Sequence, residues 1–186
     1  MPMRVVAGTA RGRQLKRVPG EGTRPIMDRV KEALFNILSD NIVGTTFLDL
    51  YAGTGSVGIE ALSRGADSVV FVENANPAVR VIQENLALTG LAERARIVRQ
   101  DVRDFLRKEP TQAFEYIYIA PPQYKDLWLD TLRALDSNAA YLEPDAIVIV
   151  QIDPEEQKEV ALQTLVPFDE RRYGHTLLWF FERPGD

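Results

Sequence analysis

The stretch Asp49-Leu50-Tyr51-Ala52-Gly53-Thr54-Gly55-Ser56-Val57-Gly58 decides how this chain of 186 residues folds. The apolar run Thr46–Leu50 that leads into it has the length of a buried strand. The residues that follow it, Ser56–Arg64, carry a helical pattern closed by Gly65. Glycines between a strand and a helix let the backbone turn sharply and approach a ligand closely. The start of the helix adds N–H groups with no partner inside the helix.

Working outward, the same strand–helix alternation repeats. Strands are predicted at Ser68–Val72, Ala95–Arg99, Phe114–Ile119 and Ala146–Gln151. Helices are predicted at Pro77–Leu88, Val102–Lys108, Lys125–Leu135 and Pro154–Leu162. Pro77 fits a first helical turn, Gly90 follows that helix, and Pro121-Pro122 halts the fourth strand. The end of the chain differs. Val166–Tyr173 and Thr176–Phe181 are strand-like and separated by Gly174-His175, which predicts an antiparallel hairpin. The expected fold is α/β: a doubly wound, Rossmann-like, mostly parallel sheet with a C-terminal antiparallel hairpin. Before it, residues 4–18 read as short strands around a turn, 19–25 as a loop, and 28–39 as a helix with Val30, Leu34, Ile37 and Leu38 on one face. Two segments are expected, a basic extension over 1–27 and the main domain over 28–186.

In doubly wound sheets ligands bind beyond the carboxyl ends of the strands. Three acids stand at three successive strand ends here: Asp49, Glu73 and Asp101. Glu73 is placed to accept both hydroxyls of a ribose, and Asp101 an adenine amino group. The spacing Gly53-x-Gly55-x-x-Gly58 also fits a dinucleotide fingerprint. Asp49 argues against that ligand, because it would repel a pyrophosphate and attract the ammonium group of a methionine moiety. The ligand expected is S-adenosyl-L-methionine, held by Asp49, Tyr51, Ala52, Gly53, Thr54, Gly55, Glu73, Asn74, Asp101 and Val102. These glycines and acids also fit plain turns and helix caps. At the fourth strand end, Ala120-Pro121-Pro122-Gln123-Tyr124 forms a second candidate site. Two prolines hold the carbonyls of Ala120 and Pro121 rigidly, and Tyr124 can stack on an extruded base.

Composition is that of an ordinary globular domain, 45% hydrophobic and 26% charged, with no cysteine, which removes disulfides, thiolate metal sites and cysteine nucleophiles. No metal, no membrane partner, a cytoplasmic location and a monomer are expected. Net charge is −5, unevenly spread. Residues 1–31 carry Arg4, Arg11, Arg13, Lys16, Arg17, Arg24, Arg29 and Lys31 against Glu21 and Asp28, a surplus of +6 that leaves −11 for the rest. Such a basic arm on an acidic body fits contacts to nucleic-acid phosphates, with Arg4, Arg11, Arg13, Lys16, Arg17, Arg24 and Arg29 as candidates. His175 reads as a turn residue. Trp128, Trp179, Phe35 and Leu38 read as packing residues.

Together these pieces resemble class I S-adenosylmethionine-dependent methyltransferases that act on exocyclic amines. Arg4-Val5-Val6-Ala7-Gly8, Arg11-Gly12-Arg13, Arg24-Pro25 and Asp28-Arg29-Val30-Lys31-Glu32-Ala33-Leu34-Phe35-Asn36 narrow the resemblance to the RsmD-type family, which methylates guanine N2 in the 16S ribosomal RNA of bacteria. The resemblance implies a seven-stranded sheet with one antiparallel strand, cofactor contacts at Asp49, Ala52–Gly55, Glu73 and Asp101, and ribosomal RNA or a small-subunit assembly particle as partner. It implies Ala120, Pro121, Pro122 and Tyr124 as the catalytic rim. The family's motif there is Asp/Asn-Pro-Pro-Tyr/Phe. This chain departs from it: Ala120 replaces the acid or amide, Gln123 stands at the aromatic position, and Tyr124 comes one residue later. Two alternatives share these residues, a methyltransferase acting on another nucleic-acid amine (adenine N6, or DNA) and an RNA-binding relative with weakened catalysis.

Overall fold

The computed structural model describes residues 3–20 and 25–185. Among these residues seven strands form one sheet: β1 (Thr46–Leu50), β2 (Ser68–Glu73), β3 (Ala95–Arg99), β4 (Phe114–Ile119), β5 (Leu142–Ile152), β6 (Val166–Tyr173) and β7 (Thr176–Glu182). Their order is β3-β2-β1-β4-β5-β7-β6. β1 to β5 run parallel, and β7 inserts antiparallel between β5 and β6. This is the doubly wound sheet with its terminal hairpin that the alternation predicts.

Among the described residues, five α-helices cover the two faces: α1 (Asp28–Leu38), α2 (Ser56–Ser63), α3 (Asn76–Thr89), α4 (Val102–Arg107) and α5 (Leu127–Ser137). Phe47, Tyr116, Tyr118, Ile149 and Phe180 join α1, α2 and α3 in one apolar cluster. The alternate residues Leu48, Ile117, Ile119, Val148 and Phe181 join α4 and α5 in the other. The period-2 alternation of strand side chains thus gives each face its own helices. Rings stack across the first cluster, Phe35 on Phe47 at 6.3 Å and Phe47 on Tyr116 at 6.4 Å. Trp128 is buried and packs on Trp179 at 5.8 Å in the second. Phe35 and Leu38 are buried on α1, and His175 lies exposed in the β6–β7 turn, as their sequence positions suggest.

The N-terminal segment pairs with itself but stops short of two full strands. Arg4 and Gln14 form a single antiparallel bridge, with Val5 N–H bonded to the Arg13 carbonyl and Leu15 N–H to that of Met3. Met3, Val5, Ala10, Leu15 and Ile26 are buried in the same core as α1 and α2. Gly8 shows how close the contact is: a Cβ there would lie 1.9 Å from the Ser63 carbonyl oxygen, and its φ is +90°.

One predicted helix is absent. Pro154–Leu162 forms only a 3-10 turn at Pro154–Glu156, capped by Asp153, and the chain beyond it is not helical. Val160 and Leu162 are two residues apart and share no helix face, and none of residues 154–162 is buried, so no packed face supports a helix there. Both oxygens of the Asp136 carboxylate accept backbone N–H groups, from Gln163, Thr164 and Leu165 at 2.7–2.8 Å. Those residues lie just past the predicted helix, so the carboxylate anchors the chain where it enters β6. Several other bounds move by one or two residues, and two shifts bear on the site. β5 begins four residues earlier than its sequence pattern, at Leu142, with a register shift against β4 between Phe114 and Tyr116. α5 begins at Leu127 rather than Lys125, after left-handed backbone at Tyr124 and Asp126. Among the described residues no helix is long and apolar enough to cross a membrane.

Candidate functional site

The switch in strand order lies between β1 and β4, so the carboxyl ends of these two strands flank the crevice where such sheets take ligands. The β1 end carries the glycine turn. Tyr51, Gly53 and Gly55 all have positive φ, +61°, +58° and +80°, so the chain doubles back before α2. Two carboxylates brace this turn. Asp49, only 1% exposed, accepts the Gly58 N–H at 3.0 Å from beneath and so caps α2 from a distance. Burial pushes its carboxyl well above the usual range, the Gly58 hydrogen bond works against that, and the Glu73 charge adds to it. Gly58 admits no side chain, since a Cβ would meet the Phe71 ring at 2.3 Å.

Glu73, at the end of β2, accepts the Gly53 N–H at 2.9 Å on Oε1 and the Ala75 N–H at 2.8 Å on Oε2. A carboxylate oxygen has two lone pairs, so each oxygen retains one for a further donor such as a ribose hydroxyl. Nothing lies within 4 Å of where a Cβ of Gly53 would point, leaving open space beside this carboxylate. Asn74 beside it is exposed. Asp101, at the β3 end, is the N-cap of α4: Oδ1 accepts the Arg103 N–H at 2.8 Å, and the Arg103 guanidinium lies 3.3 Å from both oxygens. That arginine holds the Asp101 carboxyl below its ordinary value. Capping, which the sequence allowed as the plainer role of these acids, accounts for Asp101 and Asp49 in the chain itself. Val102 behind it is buried, and the half-buried Tyr51 bonds its hydroxyl to Thr131 at 2.8 Å. The cofactor-site candidates of β1, β2 and β3 therefore converge on one edge of the sheet.

The rim at the β4 end is a separate piece of the same edge. Ala120, Pro121 and Pro122 are partly buried, and Tyr124 is 63% exposed with φ +62°. A non-glycine residue in that conformation is held by its surroundings. Here the Tyr124 N–H donates to Glu156 Oε1 at 2.8 Å. A side-chain hydrogen bond to Asp153 raises the Tyr124 phenol above its usual value. The turn after β5 thus holds the backbone of the rim at Tyr124. Two surface clefts lie away from this edge, one at Gly8, Phe35 and Arg64 and one at Phe168 and Trp179 on the β6 side.

The basic candidates occupy the N-terminal segment. Arg4, Arg11, Arg13, Lys16, Arg17 and Arg29 are all exposed, and Arg24 lies outside the described residues. Arg4 pairs with Asp28 at 3.7 Å and Lys16 with Glu84 at 3.2 Å, so part of their charge is already met. Lys31, counted in the basic surplus, belongs to the interior. It is fully buried, with Nζ 2.7 Å from the Arg4 carbonyl, 3.0 Å from Ser56 Oγ and 3.3 Å from Glu60 Oε1. Burial lowers its pKa and the Glu60 charge opposes that. Glu60, also fully buried, accepts the Val6 and Ala7 N–H groups at 2.9 and 3.0 Å and the Arg64 guanidinium at 2.8 Å. Asn85 on α3, fully buried, completes the clasp: Nδ2 donates to the carbonyls of Thr54 (3.0 Å) and Lys16 (3.1 Å), and Oδ1 accepts the Lys16 N–H at 2.8 Å. Sequence reasoning missed Glu60 and Asn85. The only available signal was a charged or amide residue on the apolar face of an otherwise buried helix.

Comparison with known proteins follows the same lines. The profile of the family described as conserved hypothetical protein 95 matches residues 3–182. Ribosomal RNA small subunit methyltransferase D of Haemophilus influenzae is 37% identical over 153 residues, spanning 81% of this chain and 79% of that protein. YlbH of Bacillus subtilis, described as a candidate rRNA methyltransferase, is 35% identical over 185 residues, 98% of this chain and 100% of its own. The solved structure of yhhF from Escherichia coli, described as a candidate methyltransferase, is 30% identical, covers 100% of both chains and superposes with a TM-score of 0.89. The chain therefore belongs to the conserved hypothetical protein 95 family, the RsmD-type family that its N-terminal motifs resemble.

Proposed function

We propose that this chain is an S-adenosyl-L-methionine-dependent methyltransferase that modifies the exocyclic N2 of a guanine in small-subunit (16S) ribosomal RNA. The observation that carries the reading is Asn85, whose one side chain bonds both Thr54 in the glycine turn and Lys16 in the basic segment. A nucleotide-type loop and a phosphate-seeking surface are thereby parts of one hydrogen-bonded unit. The names of the relatives support the same substrate class.

The residues present fit the cofactor. Glu73 has one lone pair left on each oxygen, and the space beside Gly53 is open. Glu73 would hold the ribose, Asp101 the adenine, and Asp49 with the Tyr51–Gly55 turn the methionine end; Asn74 and Val102 would line the site. When bound, the cofactor supplies a methyl group on a sulfonium centre, already activated for in-line displacement. The protein's task is then to align the amine and exclude water, worth up to about 7–11 kcal/mol. The carbonyls of Ala120 and Pro121 would accept the amine's hydrogens, Pro122 would keep the rim rigid, and Tyr124 would pack against the base. Residues 1–27 would serve as the RNA-binding extension. Arg4, Arg11, Arg13, Lys16, Arg17, Arg24 and Arg29 would meet phosphates, which position RNA without reading its sequence.

Undermethylated ribosomal RNA, naked or in small-subunit assembly particles, tests the reading with labelled cofactor. Label on the RNA is the expected result. Cofactor binding without transfer would overturn the enzyme reading and leave the RNA-binding relative that Ala120 favours.

A further inference from the structure

An attacking amine must point its lone pair at the methyl carbon, which requires its N–H bonds to be held elsewhere by fixed acceptors. At position 120 the chain offers only a methyl group, packed against the apolar cluster shared with α1, α2 and α3. The register of β4 and β5 pairs Tyr118 with Ile149 and Ile119 with Val150. One step further, Ala120 stands beside Gln151. Strand alternation puts both on the face that carries Tyr116, Tyr118, Ile147 and Ile149.

Gln151 breaks the pattern of its strand. From Ala146 to Ile152 every other residue is apolar. It is half-buried, at the carboxyl end of β5, next to the rim. Tyr118, two residues before Ala120, donates its hydroxyl to Gln151 Oε1. Burial and the nearby Asp49 charge keep that phenol protonated, its pKa well above the ordinary value. Among the described residues, Tyr118 is the one hydrogen-bond partner of the Gln151 amide. Oε1 keeps a second lone pair and Nε2 keeps two donors. Neighbouring strands lie about 4.8 Å apart, within reach of a glutamine side chain, and an alanine at 120 leaves that path clear.

We infer that Gln151 replaces, from the neighbouring strand, the carboxamide that position 120 lacks, and that its Oε1 accepts one of the two N–H groups of the target amine, leaving the other to the rim carbonyls. This rests on the methyltransferase reading above and names its side-chain acceptor. The amide orients the amine but is no base. The nitrogen lone pair forms the new N–C bond as the C–S bond breaks, sulfur keeps that electron pair, and the surplus proton leaves to water.

The test uses the full chain with RNA substrate and labelled cofactor, reading kcat, KM and cofactor Kd for Gln151→Ala, Gln151→Glu and the double variant Ala120→Asn/Gln151→Ala. Gln151→Ala is expected to lower kcat about 10- to 100-fold, the weight of one positioning hydrogen bond to a reacting group, with cofactor Kd within about twofold. Gln151→Glu, which retains the acceptor, should lose less. Asparagine at 120 should restore most of the rate to the Gln151→Ala background. Unchanged kcat in Gln151→Ala, or a loss that asparagine at 120 does not rescue, would each overturn the inference. If the unaltered chain transfers methyl groups and Gln151→Ala does too, only this inference fails. If the unaltered chain transfers none, the methyltransferase reading fails and takes the inference with it.

Discussion

Glu60→Gln should be among the most damaging single substitutions outside the strand-end site. The Lys31 and Glu60 side chains are both fully buried, 3.3 Å apart, and Glu60 also receives Val6, Ala7 and Arg64. Removing one partner of a buried ion pair costs about 3–5 kcal/mol. A carboxamide has one acceptor oxygen, so one of the two backbone N–H groups also loses its partner, at about 1–3 kcal/mol. Lys31 keeps the Arg4 carbonyl and Ser56, and burial already favours release of its proton, which holds the total nearer 4 kcal/mol than the sum of these ranges. For a chain of this length that is a fall in Tm of about 8–16 °C. Urea unfolding of the unaltered chain, Glu60→Gln, Lys31→Met and the double variant measures it, with m held constant. The double variant should be less destabilised than the two singles added together, by about 1–3 kcal/mol. A Glu60→Gln loss below about 1 kcal/mol, or strict additivity, would refute the reasoning that this buried pair fastens the N-terminal segment to the domain.

Other outcomes follow from the strand-end site. Glu73→Ala removes the acceptor of two backbone N–H groups and of the ribose, and calorimetry should show cofactor affinity reduced about 100-fold or more. Asp49→Asn should act in opposite directions on stability and binding. The folded-state pKa of Asp49 is raised, so the folded chain holds a proton that the unfolded chain releases near pH 3.9, and stability is lost as pH rises from there toward the raised value. Asparagine removes that loss, so the variant should unfold at higher urea at pH 7, with the gap closing toward pH 4, while cofactor affinity falls about tenfold or more. Arg11→Gln/Arg13→Gln should weaken RNA binding uniformly across sequences and flatten the slope of log K against log salt by about 1–2.

The parts of the fold written in local patterns were legible. The bounds of β1, β3, β4 and β6 coincide with the strand-like runs that announce them, and the strand-end acids stand where alternation puts them. What escaped was decided at long range. Pro154 after Asp153 has the look of a helix start, yet Val160 and Leu162, two residues apart, share no helix face, and Asp136 of α5 holds the backbone just beyond them. Pro144 and the left-handed Asp145 disguised the first turn of β5. The same limit hid the clasp. Lys31, Glu60 and Asn85 are polar types that usually lie in solvent, and only tertiary packing turns them into the interior supports of the glycine turn. Gln151 was overlooked for a related reason, since only cross-strand register brings it to Ala120.

The central claim is that the edge built by Asp49, Glu73, Asp101 and the Ala120–Tyr124 rim methylates a guanine amine of ribosomal RNA. Base-resolved mapping of small-subunit RNA from assembly particles, before and after incubation with the chain and labelled cofactor, tests it most directly. The account predicts one labelled guanine carrying the methyl group on N2. Label on adenine N6, on DNA in preference to RNA, or on no nucleotide at all would contradict it.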